Sequence, residues 1–208
     1  MKLYILGGTG PTGQHLVSQA LEQGHEITAL VRTPSKIAFK SPKLTLITPD
    51  LFDSGAVAAS MKGHQVVVSA LGVGMTLRPH DLMNRAMASI IKAMQDAGLK
   101  RIVSLSAFGL GESYHQASML QKVFYKLMLN KIYEDKLRGE VQLRKSNLDW
   151  TLVYAVALSN GKRAGKYKVG ERLPMKGMPR ISRADVADFM LRQINSDEWV
   201  RKVPIISN

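Results

Sequence analysis

A chain of 208 residues with 45% hydrophobic residues and no cysteine is long enough for one α/β domain with a full core, and disulfides, thiolate metal sites and cysteine nucleophiles are excluded. No stretch is long and apolar enough to span a membrane, and a strand beginning at Lys2 is expected to leave no room for a signal peptide, so the expected location is cytoplasmic. The net charge of +13 suits an anionic cofactor and an anionic substrate. Its densest patch, residues 162–183, opposes eight cations with Glu171 alone. No zinc-finger or RNA-recognition signature accompanies it, so a nucleic-acid partner is not expected.

Strand and helix patterns alternate along the chain. Residues 2–6 predict the first strand, and residues 11–23 the first helix, ended by Gly24. Strands follow at 26–31 and 43–48, then a short helix at 54–61 and a nearly continuous apolar strand at 65–70. A long helix is expected over 80–97, a strand over 101–105, and a helical region over 116–145 broken near Asn130. Residues 149–155 read as a sixth strand, 183–195 as a late helix and 203–206 as a short closing strand. Such alternation implies right-handed crossovers and a parallel sheet with helices on both faces, a Rossmann-like doubly wound fold. We expect a single domain over 1–208, with residues 159–181 forming a small substrate-side lobe.

The turn after the first strand carries the strongest functional signal. Residues 3–13 read Leu-Tyr-Ile-Leu-Gly-Gly-Thr-Gly-Pro-Thr-Gly. Gly8, Gly10 and Gly13 satisfy one glycine spacing of a dinucleotide site, and Gly7, Gly10 and Gly13 another. The first glycine permits the tight turn, the middle one lets backbone approach a pyrophosphate, and the last lets helix pack on strand. Amides opening the helix then face the phosphates along its dipole. Gly7, Gly8, Thr9, Gly10, Pro11, Thr12 and Gly13 are therefore expected to cradle a dinucleotide.

The end of the second strand selects the dinucleotide. An NAD site usually places an acid there for the ribose 2′-hydroxyl. This chain has no Asp or Glu between Glu26 and Asp50, and reads Leu30-Val31-Arg32 with Lys36 close behind. A guanidinium suits a 2′-phosphate, so NADP (NADPH) is expected, held by Arg32 and Lys36. Asp50 and Leu51 are expected near the adenine, and Leu71 and Gly72 along the ribose and pyrophosphate. Asp50 reads equally as the cap of the next turn. The five histidines show no metal-ligand spacing, and no metal is expected.

Taken together, the segments Ile5–Gly13, Leu30-Val-Arg32, Ile102-Val-Ser-Leu-Ser-Ala-Phe108, Leu148-Asp-Trp-Thr-Leu-Val153, Gly165-Lys-Tyr167 and Ile181-Ser-Arg-Ala-Asp-Val-Ala187 resemble the atypical short-chain dehydrogenase/reductase superfamily. The likeness is to its NmrA-like, NAD(P)H-binding branch, and within that to the biliverdin-IXβ reductase/flavin reductase family. That family reduces small planar acceptors with NADPH. The resemblance puts Ser106 beside the nicotinamide and acceptor as the candidate catalytic and cofactor-binding residue, and makes Lys136, where the branch often has a lysine, a cofactor-binding residue. Phe108 and Tyr154 are the candidate acceptor-binding residues.

Two positions depart from the pattern. The residue four before Lys136, where short-chain dehydrogenases keep a proton-donating tyrosine, is Ile132; Tyr133 lies on a different rotation of the helix. Ala157 stands where biliverdin-reductase-like proteins have histidine. Without the tyrosine, hydride transfer to a flavin, quinone or bilin-like acceptor is the expected chemistry, because conjugation spreads the incoming charge. The alternatives are a non-catalytic NADP(H)-binding sensor or regulator, and an epimerase or carbonyl reductase. The apolar residues 118–128, rich in Met and Leu, read as a core or dimer face or as a flexible wall over the acceptor. A monomer or a homodimer is expected.

Overall fold

The computed structural model describes residues 1–72, 81–111, 113–117 and 130–208, the side chains of 130–132 aside. The eight-stranded sheet is built on β1 (Lys2–Leu6), whose residues 3–6 are fully buried. β2 (Glu26–Leu30) and β3 (Leu44–Ile47) lie on one side of β1. On the other side come β4 (Val66–Ser69), β5 (Arg101–Ala107) and β6 (Asp149–Ala155). The order 3-2-1-4-5-6 is that of the doubly wound dinucleotide fold, and all of these pairs are parallel. β10 (Ile205–Ser207) extends the sheet in parallel beside β6, and β8 (Lys168–Gly170) closes that edge antiparallel. The sheet is therefore parallel except at its last strand.

Helices cover both faces of the sheet. α1 (Pro11–Glu22) packs against α6 (Arg183–Arg192), while α2 (Ser54–Met61), α3 (Leu82–Asp96) and α5 (Asn130–Lys145) pack in series. Right-handed crossovers put these two groups on opposite faces, because the chain leaves β1 in one direction and β4 in the other. A short α4 (Ser113–Gln116) follows β5. The helical region predicted over 116–145 is thus seen as α4 and α5, and residues 118–128 lie outside the described residues. β5 runs two residues past its predicted end, to Ala107, because β6 offers it partners to Ala155. The lobe contributes β7 (Ala157–Ser159) and β9 (Arg180–Ser182), paired in parallel as a separate ribbon.

α5 is brought close to α3 by Gly139, where a Cβ would stand 2.9 Å from the Met83 carbonyl oxygen. Asp135, 1% exposed, accepts from the Met83 and Asn84 amides at 3.0 and 3.2 Å and so caps α3 from the neighbouring helix. The lobe is tied down by α6. Asp185 accepts from the Ala164 and Gly165 amides, both at 2.8 Å, and from the Ser182 hydroxyl. Asp188 holds the Tyr167 hydroxyl at 2.8 Å. No helix among the described residues is long and apolar enough to cross a membrane.

Candidate functional site

The chain reverses direction around β1, so a crevice opens between the carboxyl ends of β1 and β4. The glycine turn fills its mouth. Gly7 has φ +77°, and a Cβ there would lie 2.7 Å from the Ala70 backbone at the end of β4. Gly13 is closer still to its surroundings: a Cβ would stand 2.0 Å from the Gly7 carbonyl oxygen. Gly10 would meet that oxygen alone, at 3.3 Å, and Gly8 makes ordinary contacts with Val17, Ala29 and Ile37. The spacing that fits is therefore Gly7, Gly10 and Gly13. Two of its members are demanded by the turn, while Gly10 leaves room on the outer side of the backbone.

Gly10 is the N-cap of α1, in extended conformation and with no side-chain cap, and Pro11 opens the helix without an N–H to satisfy. No acidic residue lies in the first turn. The amides of Thr12 and Gly13 precede the first intrahelical bond, from Gln14 to Gly10. This is the geometry of an anion cradle, and a dinucleotide's pyrophosphate fits it. Thr9 receives the Gln14 side chain on its carbonyl, and Thr12 is buried.

The other residues expected on the cofactor side follow β2, β3 and β4. Arg32 is exposed just beyond β2, and Lys36 ends a single 3-10 turn, Pro34–Lys36. Asp50 accepts from the Phe52 amide at 3.0 Å, so its carboxylate shapes the turn before α2, whose cap is Asp53. Leu51 is half-buried and its carbonyl accepts from Ser89. Leu71 is half-buried, and Gly72 is exposed with open space where a Cβ would stand.

Ser106 lies two residues beyond Ser104, the partner of the last residue of β4, toward the carboxyl end of β5, and is 4% exposed. Its hydroxyl is not free. It donates to Glu140 Oε1 on α5, and the Tyr154 hydroxyl, in register with Ser106 on β6, donates to Oε2 of the same carboxyl at 2.5 Å. Arg144 Nη2 donates to the Tyr154 oxygen at 3.3 Å and lies 3.9 Å from Glu140 Oε2. Burial pushes the Glu140 carboxyl up, opposed by the two hydroxyl donors and by the charges of Lys136 and Arg144. Burial also lowers Lys136, with Glu140 acting against it. Burial raises Tyr154, and the Glu140 charge adds to that. A void of about 10 Å³ lies among Ser106, Lys136, Glu140 and Met83, about the space of one water.

Phe108 is 1% exposed, with its ring in the core. Tyr154 is 3% exposed and lines a cleft that also holds Arg144, Arg172 and Arg201. The Tyr133 hydroxyl donates to the Phe108 carbonyl at 3.2 Å, which sets it against the end of β5. Sequence reading missed Glu140 and Arg144 and dismissed Tyr133. The sequence carries no mark of Glu140's role, because the register that sets Ser106 beside Tyr154 comes from strand pairing.

The fold and the glycine turn define a Rossmann-type dinucleotide-binding protein. A model of the NAD(P)H-binding family matches residues 7–197, and the chain belongs to that family. Over its whole length it is 27% identical to the photosystem II assembly factor Ycf39 of Synechocystis, and it spans 63% of that protein. It superposes with a TM-score of 0.81 and 20% identity on ChuY, an anaerobilin reductase of Escherichia coli, covering 99% of this chain and 96% of that one. A short-chain dehydrogenase/reductase of Veillonella parvula, solved in complex with NADP, gives the same TM-score at 20% identity, covering 100% of this chain and 94% of that one.

Proposed function

We propose that this protein is an NADPH-dependent reductase that delivers hydride to a planar conjugated acceptor of the flavin, quinone or bilin type. The observation that carries the reading is the direction of the Ser106 hydroxyl. Its proton is committed inward to Glu140, so it is not poised as an acid toward the crevice. An acceptor that spreads the incoming charge over its own rings needs no such acid and takes its proton from water. Bound NADPH would supply the hydride. The chain's own residues bind, orient and position: the Gly7–Gly13 turn and the α1 amides hold the pyrophosphate, and Ser106 and Lys136 border the reacting end.

The preference for the phosphorylated cofactor rests on Arg32, exposed beyond β2 with Lys36 nearby and no acid between Glu26 and Asp50. A guanidinium there binds a 2′-phosphate in bidentate fashion. ChuY, as an anaerobilin reductase, supports the acceptor class by likeness of fold.

The test is oxidation of NADPH by the purified protein, followed by loss of reduced-nicotinamide absorbance, with FMN, a quinone and a biliverdin as acceptors and NADH alongside. The expected result is acceptor-dependent oxidation that prefers NADPH. Tight NADPH binding with no turnover on any of them contradicts the reading and favours a sensor.

A further inference from the structure

We infer that Glu140 is a positioning residue which fixes the polarity of the Ser106 hydroxyl, so that Ser106 presents only acceptor lone pairs to the carboxamide of the nicotinamide. The inference rests on the dinucleotide reading above and adds to it the reason a serine serves at this place.

Donor and acceptor counts fix the direction of each bond. Glu140 lies on α5 with a 3% exposed side chain, and its two oxygens each meet one hydroxyl: Ser106 from β5 and Tyr154 from β6. Both hydroxyls donate to the carboxyl oxygens, and the charges of Lys136 and Arg144 favour the ionised form, which accepts and cannot donate. The Tyr154 oxygen meanwhile accepts from Arg144 at 3.3 Å. The chain of bonds therefore runs one way, from Arg144 through Tyr154 to Glu140, and from Ser106 to Glu140. What remains on Ser106 is a pair of acceptor sites near the carboxyl end of β5. A carboxamide offers an NH₂ group to such a site. A ketone of the same shape offers none.

The substitution Glu140→Gln reverses this. The new side-chain amide has one accepting oxygen and one donating nitrogen. If the nitrogen faced Tyr154, the tyrosine oxygen would accept from both that amide and Arg144, and its own proton would be stranded in a buried site. The nitrogen therefore faces Ser106, which must accept from it and turn its proton outward.

The experiment is a pair of equilibrium titrations, with NADP⁺ and with its 3-acetylpyridine analogue, which carries an acetyl group in place of the carboxamide. They are run on the wild-type protein, on Glu140→Gln and on Ser106→Ala. The wild type should favour NADP⁺ about tenfold, the worth of one hydrogen bond of about 1.4 kcal/mol. Both variants should bring the ratio close to one. Ser106→Ala removes only a small side-chain oxygen and keeps the test standing if Glu140→Gln folds poorly. A wild-type ratio near one, or a Glu140→Gln ratio equal to the wild-type value, overturns the inference and leaves the dinucleotide reading intact. Failure of the wild type to bind either nucleotide overturns that reading itself. A merely structural Glu140 would change both affinities together and leave the ratio alone.

Discussion

The glycine turn and the Ser106–Glu140–Tyr154 network lie at the carboxyl ends of strands of one sheet but are built in different ways. The turn is local. Seven consecutive residues make it, and its two closest contacts, Gly13 on Gly7 and Gly7 on Ala70, are between backbone atoms. The network is assembled from β5, α5 and β6, with Ser106 and Glu140 separated by 34 positions. Backbone geometry is rigid, so the turn tolerates almost no change at Gly7 or Gly13. The network is polar and buried, so what it demands is that each donor and acceptor keep its partner. One region is held by shape and the other by hydrogen-bond count.

Substitutions separate the two kinds of constraint. The largest effect is expected at Gly13→Val. Its Cβ would overlap the Gly7 carbonyl oxygen, the turn must open, and stability should fall by about 3 kcal/mol or more with loss of dinucleotide binding, measured by denaturant unfolding and nucleotide titration. Gly10→Val sharpens the comparison. Its only close neighbour is at 3.3 Å, so the variant should fold, keep its thermal midpoint within a few degrees of the wild type, and still fail to bind NADPH. Loss of folding there would show that Gly10, too, is demanded by the turn.

Glu140→Ala should cost about 2–3 kcal/mol in chemical denaturation, because two buried hydroxyls lose their acceptor. A similar loss, about 2 kcal/mol, is expected for Asp185→Ala, which strips the Ala164 and Gly165 amides of their acceptor. Limited proteolysis should then cut the 159–181 lobe first. The smallest expected effect is on the cofactor's outer end: Arg32→Ala should weaken NADPH about tenfold, leave NADH within about twofold, and spare stability, since Arg32 is exposed.

The same contrast explains what could be read before the structure. The strand–turn–helix motif, the parallel character of the first six strands and the lobe after β6 were legible because periodicity and glycine spacing are local signals. The antiparallel β8 was not, because three residues, Lys168–Gly170, carry too short a pattern and take their place from β10. Glu140 was the larger omission. Four residues after Lys136 on a helix, it reads as half of an exposed ion pair. Only the packing of α5 over β5 and β6 buries it and gives it two hydroxyl partners. Asp135 was hidden for the same reason, since a residue that caps another helix leaves no mark near that helix in the sequence. The predicted wall at 118–128 and the start of the helix expected at residue 80 lie outside the described residues.

The central claim is that the turn after β1 holds a phosphorylated nicotinamide dinucleotide. The most direct measurement is a fluorescence titration of the wild-type protein with NADPH and with NADH, repeated on Gly10→Val. The account predicts saturable binding that prefers NADPH and is abolished in the folded variant. Equal affinity of Gly10→Val and wild type for NADPH would contradict it.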